Sequence, residues 1–277
     1  MQNCRWQSRF KGDLAENAEK QAPTPFPAIE TGSTPLKSDL RLNGRPVFKQ
    51  VSIIAFDLDD TLWPCMPVIH RAEEILYEWL QRFYPRITES YSPPQMVELR
   101  KQFTAENEHY AIDLTLMRYE FLRHMGQQHD YDGEQVSKHG FDIFYDARQQ
   151  VEFYADVLPC LERLGQRFRL GAISNGNASV ERVGLGHLIE HAVSACDLKV
   201  AKPDPLIFQH FADRFEASPG QIVYVGDHPL YDVVAPIEAG YQAIWINREG
   251  NSWPGHLPEP EHQVVDLHEL EVLLSDR

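Results

Sequence analysis

Short runs in which most positions are apolar, often β-branched, recur along the chain and alternate with segments of helical periodicity. Such a run is typical of a strand that is covered on both faces, so the pattern predicts a parallel sheet. Asp204 and Pro205 predict a helix start between two of the runs, because aspartate caps helices and proline suits the first turn. Alternating strands and helices predict an α/β fold with a doubly wound parallel sheet. The segments predicted as strands are 51–56, 168–173, 192–196, 221–225 and 242–246.

One long interval, residues 67–150, contains no pattern typical of a strand. Its apolar residues recur at helical spacing in two stripes, which we expect to form the core of an all-helical domain inserted after the first strand. The α/β core then consists of residues 51–66 and 151–277. The two stripes are Ile69, Ala72, Leu76, Trp79, Leu80 and Phe83, and Leu114, Met117, Phe121, Leu122 and Met125.

Residues 1–50 differ in composition from the rest of the chain. They contain eight Lys or Arg against five Asp or Glu, and three prolines cluster at Pro23, Pro25 and Pro27. No helical or alternating apolar period is visible, so this segment is predicted to be a flexible N-terminal extension. We expect its first 38 residues to be dispensable for catalysis.

The charge of the chain excludes several kinds of partner. Its 26 basic and 41 acidic residues give a net charge of −15, whereas nucleic acids and anionic membranes bind basic surfaces. No stretch approaches the roughly 18 apolar residues of a membrane span, and the N-terminus lacks the apolar segment of a signal peptide. The four cysteines form no close pair, which favours free thiols in the cytoplasm. The sequence gives no indication of the oligomeric state.

Polar motifs follow the first four of the predicted strands, at or after the point where each ends. The carboxyl ends of parallel strands meet at one edge of an α/β sheet, where ligands bind. We therefore expect the motifs to form a single site. Their residues are Asp57, Asp59 and Thr61 after the first strand, Ser174 and Asn175 after the second, Lys202 after the third, and Asp227, His228 and Asp232 after the fourth.

The order of these motifs resembles that of the haloacid dehalogenase superfamily, over residues 51 to about 275. The helical insertion directly after the first motif resembles the type-1 cap of that superfamily. More narrowly, three short sequences are similar to those of bacterial phosphatases that act on flavin mononucleotide and on a ribitylaminopyrimidine phosphate. They are Ser174-Asn175-Gly176-Asn177-Ala178, Gly184-Leu185-Gly186 and Gly226-Asp227-His228-Pro229.

The resemblance implies an enzyme that hydrolyses phosphate monoesters. A carboxylate can attack phosphorus and form a phosphoaspartate, which divides hydrolysis into two displacements, and Asp57 is the candidate nucleophile. Asp59 would protonate the departing alkoxide and then take a proton from the attacking water. Ser174, Asn175 and Lys202 are the candidate phosphate-binding residues, with the lysine placing positive charge on the phosphoryl oxygens.

Several aspartates in one pocket would repel a phosphate dianion, so the site is expected to hold a cation. Ligands that are all oxygen atoms select Mg²⁺. By resemblance, the ligands are a carboxylate oxygen of Asp57, the backbone carbonyl of Asp59 and the carboxylate of Asp227. Thr61 is expected to order the loop after the nucleophile, and Asp232 to support the metal ligands.

By resemblance, the substrate is a small phosphorylated metabolite, either flavin mononucleotide-like or a sugar phosphate. Arg118 and His228 are candidate substrate contacts, and the planar fork of Arg118 suits a phosphate or the edge of a heterocycle. Three alternatives stay open. A phosphomutase would share every core residue, a 2-haloacid dehalogenase would usually lack the acid at Asp59, and a binding protein that has lost turnover need not retain the intact motifs.

Overall fold

A six-stranded parallel sheet organises the protein. The computed structural model describes residues 48, 50–107, 110 and 112–275, so the predicted extension lies outside the described residues except at its last few positions. The strand order is β3-β2-β1-β4-β5-β6, and all pairings are parallel. This confirms the predicted α/β fold. The strands are β1 (Ile53–Phe56), β2 (Arg169–Ser174), β3 (His191–Ser194), β4 (Ile222–Gly226), β5 (Gln242–Ile246) and β6 (Gln263–Val264).

Some of the helices cover the two faces of the sheet, and the others form a separate helical insertion. The first five, α1 to α5, follow β1 directly and occupy residues 65–148, and the others are distributed among the later strands. The helices are α1 (Cys65–Phe83), α2 (Pro85–Ser90), α3 (Pro93–Glu106), α4 (Leu114–Gln128), α5 (Gly133–Arg148), α6 (Val157–Leu164), α7 (Ala195–Leu198), α8 (Pro205–Arg214), α9 (Ala235–Glu238) and α10 (Leu267–Leu273).

The central strand β1 is buried on both sides because alternate residues enter two apolar cores. Ile54 packs in the core that contains Leu161 of α6, whereas Ile53 packs in the core that contains Phe211 of α8. All four residues of β1 are buried. Burial of both faces explains why the strand reads as an uninterrupted apolar run, and the parallel ladder brings the ends of β1 and β4 side by side.

The helical insertion has its own apolar core, as its sequence predicts. Leu76 and Leu80 of α1 pack in one buried cluster with Leu122 of α4. Two residues of the predicted stripes are exposed, Phe83 by 55% and Leu114 by 37%. Both stand at the end of a helix, where the apolar stripe leaves the packed interface.

Helix boundaries in the core follow the signals in the sequence. The Asp204 side chain accepts a hydrogen bond from the Leu206 backbone, which confirms the predicted start of α8. The segment between β4 and β5 begins with a π-helical turn at Pro229–Val234 and continues as α9. It ends before Gly240, which has a φ of 87°. No helix in the described part of the chain is long and apolar enough to cross a membrane.

Candidate active site

The ends of β1 and β4 bring three carboxylates together. Asp57 directly follows β1, and its backbone N–H donates to the Val225 carbonyl of β4 over 2.9 Å. Asp227 directly follows β4, and Asp232 lies in the π-helical turn just beyond it. One carboxylate oxygen from each of these three aspartates lies within 4.8 Å of the others. The cluster consists of oxygen donors alone, which is the ligand set that Mg²⁺ prefers.

Lys202 neutralises part of this acidic cluster. Its Nζ donates to Asp57 Oδ1 over 2.7 Å, to Asp232 Oδ1 over 2.7 Å and to the Tyr224 hydroxyl over 2.8 Å. Burial acts to lower the pKa of Lys202, but the charges of Asp232 and Asp57 outweigh it and hold the pKa well above its usual value. The ammonium group is therefore charged throughout the neutral pH range.

Burial and crowding in the cluster destabilise the ionised forms of its carboxyl groups. Burial raises the pKa of Asp57 well above its usual value, although Lys202 opposes the shift. Burial, followed by repulsion from Asp232, raises the pKa of Asp227 to about 7. A charge of opposite sign placed between these groups would favour their ionised forms. The protein thus concentrates negative charge at a point where a cation can compensate it.

Asp59 lies two residues beyond Asp57 on a tight loop. Asp60, with a φ of 59°, reverses the chain there, and its side chain accepts a hydrogen bond from the Cys65 backbone at the start of α1. The Asp59 carboxylate accepts a hydrogen bond from Trp63 Nε1 over 2.9 Å. Its two oxygens also lie 2.7 and 2.6 Å from Nη2 of Arg148. Asp59 is therefore held by one residue of its own loop and one residue of the insertion.

Ser174 and Asn175 stand at the carboxyl end of β2. The Ser174 hydroxyl accepts a hydrogen bond from the Gly176 backbone over 2.9 Å. The Asn175 side chain binds the Lys202 backbone twice, by accepting from its N–H over 2.8 Å and donating to its carbonyl over 3.0 Å. The described contacts of the Asn175 side chain thus position the lysine loop. A Cβ at Gly176 would lie 2.6 Å from Asp59 Oδ2, so a larger residue here would have to displace this carboxylate.

The two supporting residues contact the cluster. Thr61 is fully buried, and its hydroxyl donates a long hydrogen bond of 3.4 Å to Asp227 Oδ1. Asp232 accepts from the His228 backbone through Oδ2 while its Oδ1 binds Lys202. Gly226 makes room for Asp232, because a Cβ there would lie 2.5 Å from the carboxyl carbon.

The two candidate substrate contacts are engaged elsewhere. Nδ1 of His228 accepts from the Leu230 and Tyr231 backbones and so caps the π-helical turn. Arg118 is buried in the insertion, where it donates to Glu73 over 2.9 Å and stacks over the Phe144 ring at 3.4 Å. The structure places neither side chain in contact with the carboxylate cluster.

Three residues of the site are absent from the expectations drawn from the sequence. Tyr224 lies inside the apolar run of β4, and its hydroxyl joins Lys202 to the Ile173 carbonyl. Trp63 and Arg148 bind Asp59. A tyrosine inside an otherwise aliphatic strand is a weak signal in the sequence, whereas Arg148 ends a helix like many arginines that face solvent.

A cavity of about 930 Å³ lies where the insertion meets the core beside Ser174. The Asn177 amide donates to the Thr115 hydroxyl over 3.3 Å and so connects the two walls. Aromatic and polar side chains both contribute to the lining. Residues of the insertion that line the cavity include Thr115, Tyr119, Phe141 and Tyr145, and those of the core include Leu58 and Ser174.

Comparison with known proteins identifies the class. Residues 51–240 match the family model described as haloacid dehalogenase-like hydrolase. The chain belongs to this family, which confirms the superfamily inferred from the motifs and the prediction that the protein is a hydrolase.

Two curated relatives and one solved structure illustrate the range of activities among its relatives. The chain is 29% identical to the 5-amino-6-(5-phospho-D-ribitylamino)uracil phosphatase of Escherichia coli, covering 81% of this chain and 97% of that protein. It is 26% identical to the glyceraldehyde 3-phosphate phosphatase of Methanopyrus kandleri, covering 72% of this chain and 84% of that protein. The crystal structure of a 2-haloacid dehalogenase from Pseudomonas syringae shares 34% identity, with a TM-score of 0.75, covering 81% of this chain and 98% of that one.

Proposed function

We propose that the protein is a Mg²⁺-dependent phosphatase that hydrolyses a small phosphate monoester through a phosphoaspartate. The observation that carries this proposal is the cluster of Asp57, Asp227 and Asp232, whose carboxylate oxygens lie within 4.8 Å of one another beside the buried Lys202. The names of the two phosphatase relatives support the same reaction class.

Asp57 and Asp59 have separate tasks in this reaction. Asp57 attacks phosphorus, because it directly follows β1 at the edge where the carboxylates converge. Lys202 donates to one of its oxygens, which orients the carboxylate and stabilises negative charge on the transferring group. Asp59 donates a proton to the leaving oxygen and later accepts one from the attacking water.

The carboxylates of Asp57 and Asp227 and the backbone carbonyl of Asp59 would hold the metal. When bound, Mg²⁺ neutralises the charge of phosphate and carboxylates and polarises the phosphoryl group. Two observations indicate that these residues suit Mg²⁺. The cluster offers oxygen atoms alone, and burial together with neighbouring carboxylates raises the pKa of Asp57 and Asp227, so a nearby cation would stabilise their ionised forms. Thr61 donates to the ligand Asp227, Asp232 holds Lys202, and Ser174 offers its hydroxyl to the phosphate. Asn175 acts by fixing the backbone of the phosphate-binding Lys202.

The helical insertion serves as a cap over the site and selects the substrate. The cavity of about 930 Å³ is large enough for a nucleotide-sized molecule, and Tyr119, Phe141 and Tyr145 offer aromatic surface to a heterocycle. A flavin mononucleotide-like phosphate therefore suits the cavity better than a bare sugar phosphate. The uracil ring in the name of the Escherichia coli relative's substrate agrees with this choice.

A second candidate activity is the hydrolytic release of halide from a 2-haloacid, because the structurally similar protein from Pseudomonas syringae is a dehalogenase. That reaction needs a nucleophile but no acid to protonate a leaving alkoxide. The presence of Asp59, held by Trp63 and Arg148, favours phosphoryl transfer.

Release of phosphate and halide by the purified protein tests the proposal. Phosphate release is measured from a panel that contains flavin mononucleotide, pyrimidine and sugar phosphates, with Mg²⁺ or with excess chelator, and halide release from 2-chloropropionate. We expect turnover of phosphate esters only with Mg²⁺, and none by Asp57→Asn. Phosphatase activity that survives exhaustive chelation would contradict the metal requirement. Halide release without phosphatase activity would support the dehalogenase, and isomerisation of a sugar phosphate without net hydrolysis would indicate a mutase.

A further inference from the structure

Arg148 connects the helical insertion to the proposed general acid. It is the last residue of α5, its residue surface is 1% exposed, and it lies 89 positions from Asp59 in the sequence. Its Nη2 lies 2.7 Å from Asp59 Oδ1 and 2.6 Å from Asp59 Oδ2. The contact therefore spans the junction between the insertion and the α/β core.

The remaining surroundings of Asp59 restrict the direction of its carboxylate. Trp63 Nε1 donates to Oδ1, and Gly176 approaches so closely that a Cβ would lie 2.6 Å from Oδ2. The same point beside Gly176 lies 3.2 Å from the Ser174 hydroxyl and 3.5 Å from Arg148 Nη2. The guanidinium group and the carboxylate thus stand against the loop that carries the predicted phosphate-binding residue Ser174.

A solely structural ion pair leaves one feature of Arg148 unexplained. Its Nη1 is buried and has no hydrogen-bond partner within the part of the chain that the structure describes. A buried donor without a partner lowers stability, so a residue kept only to join the insertion to the core would be replaced with advantage by a smaller or apolar side chain. The contact between its Nη2 and the Asp59 carboxylate explains the arginine better.

We propose that Arg148 is a positioning residue, which orients the Asp59 carboxylate towards the leaving oxygen. This orientation then depends on the docking of the insertion against the core. The inference rests on the proposed phosphatase function. A carboxylate held from two sides keeps the geometry that proton transfer needs, and a displacement of about 1 Å can cost catalysis heavily. When α5 moves away from the core, Arg148 moves with it, and Asp59 then loses the guanidinium group while it keeps the contact with Trp63.

The test compares substrates that differ in their need for an acid. Alkyl phosphates leave as alkoxides that must be protonated, whereas aryl phosphates leave as stabilised phenolates. We expect Arg148→Met to lower kcat/KM for an alkyl phosphate by about 10–100-fold and to change kcat/KM for an aryl phosphate by much less. Arg148→Lys keeps a positive charge and one donor nitrogen, so it should recover part of the loss. In the Asp59→Asn background, Arg148→Met should cause no further loss.

The matched control is Arg182→Met. Arg182 also joins α5 to the core, through an ion pair of 2.6 Å with Asp146, but it does not contact Asp59. This variant should lose alkyl and aryl activity equally or not at all. Equal losses for both substrates in Arg148→Met, or a loss that adds to that of Asp59→Asn, would overturn the proposal. If Arg148→Met does not fold, Arg148→Lys carries the same comparison. A wild-type protein that hydrolyses no phosphate ester would refute the proposed function instead.

Discussion

Replacement of Lys202 by methionine tests the electrostatic balance of the site. The Lys202 side chain is 3% exposed and forms ion pairs of 2.7 Å with Asp57 and Asp232, whose side chains are 10% and 2% exposed. Methionine fills similar volume without the charge, so the variant leaves the buried carboxylates facing one another. Removing one partner of a buried ion pair costs about 3–5 kcal/mol of unfolding free energy. We expect a loss in this range, since protonation of Asp57 limits any further cost.

This loss is measured by urea unfolding in the absence of divalent cations. With a slope of about 3 kcal/mol per molar urea, the midpoint should fall by roughly 1–2 M. The control is Lys199→Met, because Lys199 is 64% exposed and solvent screens its ion pair with Asp113. Mg²⁺ should reduce the difference in urea midpoint between Lys202→Met and the wild type, because it supplies the missing positive charge.

The pH dependence of this loss has a definite sign. Because the pKa of Lys202 is raised in the folded protein, its full contribution to the free energy of unfolding is present below about pH 10.4. This contribution is therefore constant between pH 5 and 8. In the variant, burial without Lys202 raises the pKa of Asp57 further above its unfolded value of about 3.9, so stability falls as the pH rises. The gap between wild type and variant should therefore be larger at pH 8 than at pH 5. Equal midpoints for Lys202→Met and Lys199→Met, or a gap that narrows at pH 8, would refute this reasoning.

Three further predictions concern the surroundings of the site. Asp156→Asn should cost about 3 kcal/mol at pH 7, because Asp156 forms a buried ion pair with Arg248. Burial acts to raise the pKa of Asp156, but hydrogen bonds outweigh it and hold the pKa below its usual value. The stability that this carboxylate contributes is therefore lost in acid, and the urea midpoints of variant and wild type should converge below about pH 4. Gly176→Ala should displace Asp59 and lower kcat/KM for alkyl phosphates by about 10–100-fold, and an unchanged value would contradict the close approach. A chain that begins at Ser38 should retain its turnover, and loss of activity would show that the extension contributes to the enzyme.

The carboxylate cluster could be predicted from the sequence because its geometry follows from the sheet. The apolar runs fix where β1 and β4 end, and parallel pairing then sets Asp57 beside Asp227. No tertiary information beyond the strand order is needed. The two-residue strand β6 has no such pattern, since only Val264 of its residues is buried, and the sequence does not predict it.

Contacts that depend on the docking of the insertion could not be predicted in this way. Arg148 reaches Asp59 only when α5 packs against the core, and its sequence context is that of an ordinary arginine at a helix end. Arg118 shows that a polar pattern leaves the role of a side chain open. Its spacing on α4 is equally compatible with substrate contact and with the buried ion pair to Glu73 that the structure contains.

Mass spectrometry of the intact protein tests the phosphoaspartate mechanism most directly. The Asp59→Asn variant keeps the nucleophile but lacks the acid and base, a loss worth about 10²–10⁴ in rate. An aryl phosphate needs little protonation of its leaving group, so it should still phosphorylate Asp57, and the intermediate should accumulate because no base activates the water. After mixing with an aryl phosphate and Mg²⁺, we predict the added mass of one phosphoryl group on Asp59→Asn and none on Asp57→Asn. A phosphoryl adduct on Asp57→Asn, or near-wild-type turnover of an alkyl phosphate by either variant, would contradict the account.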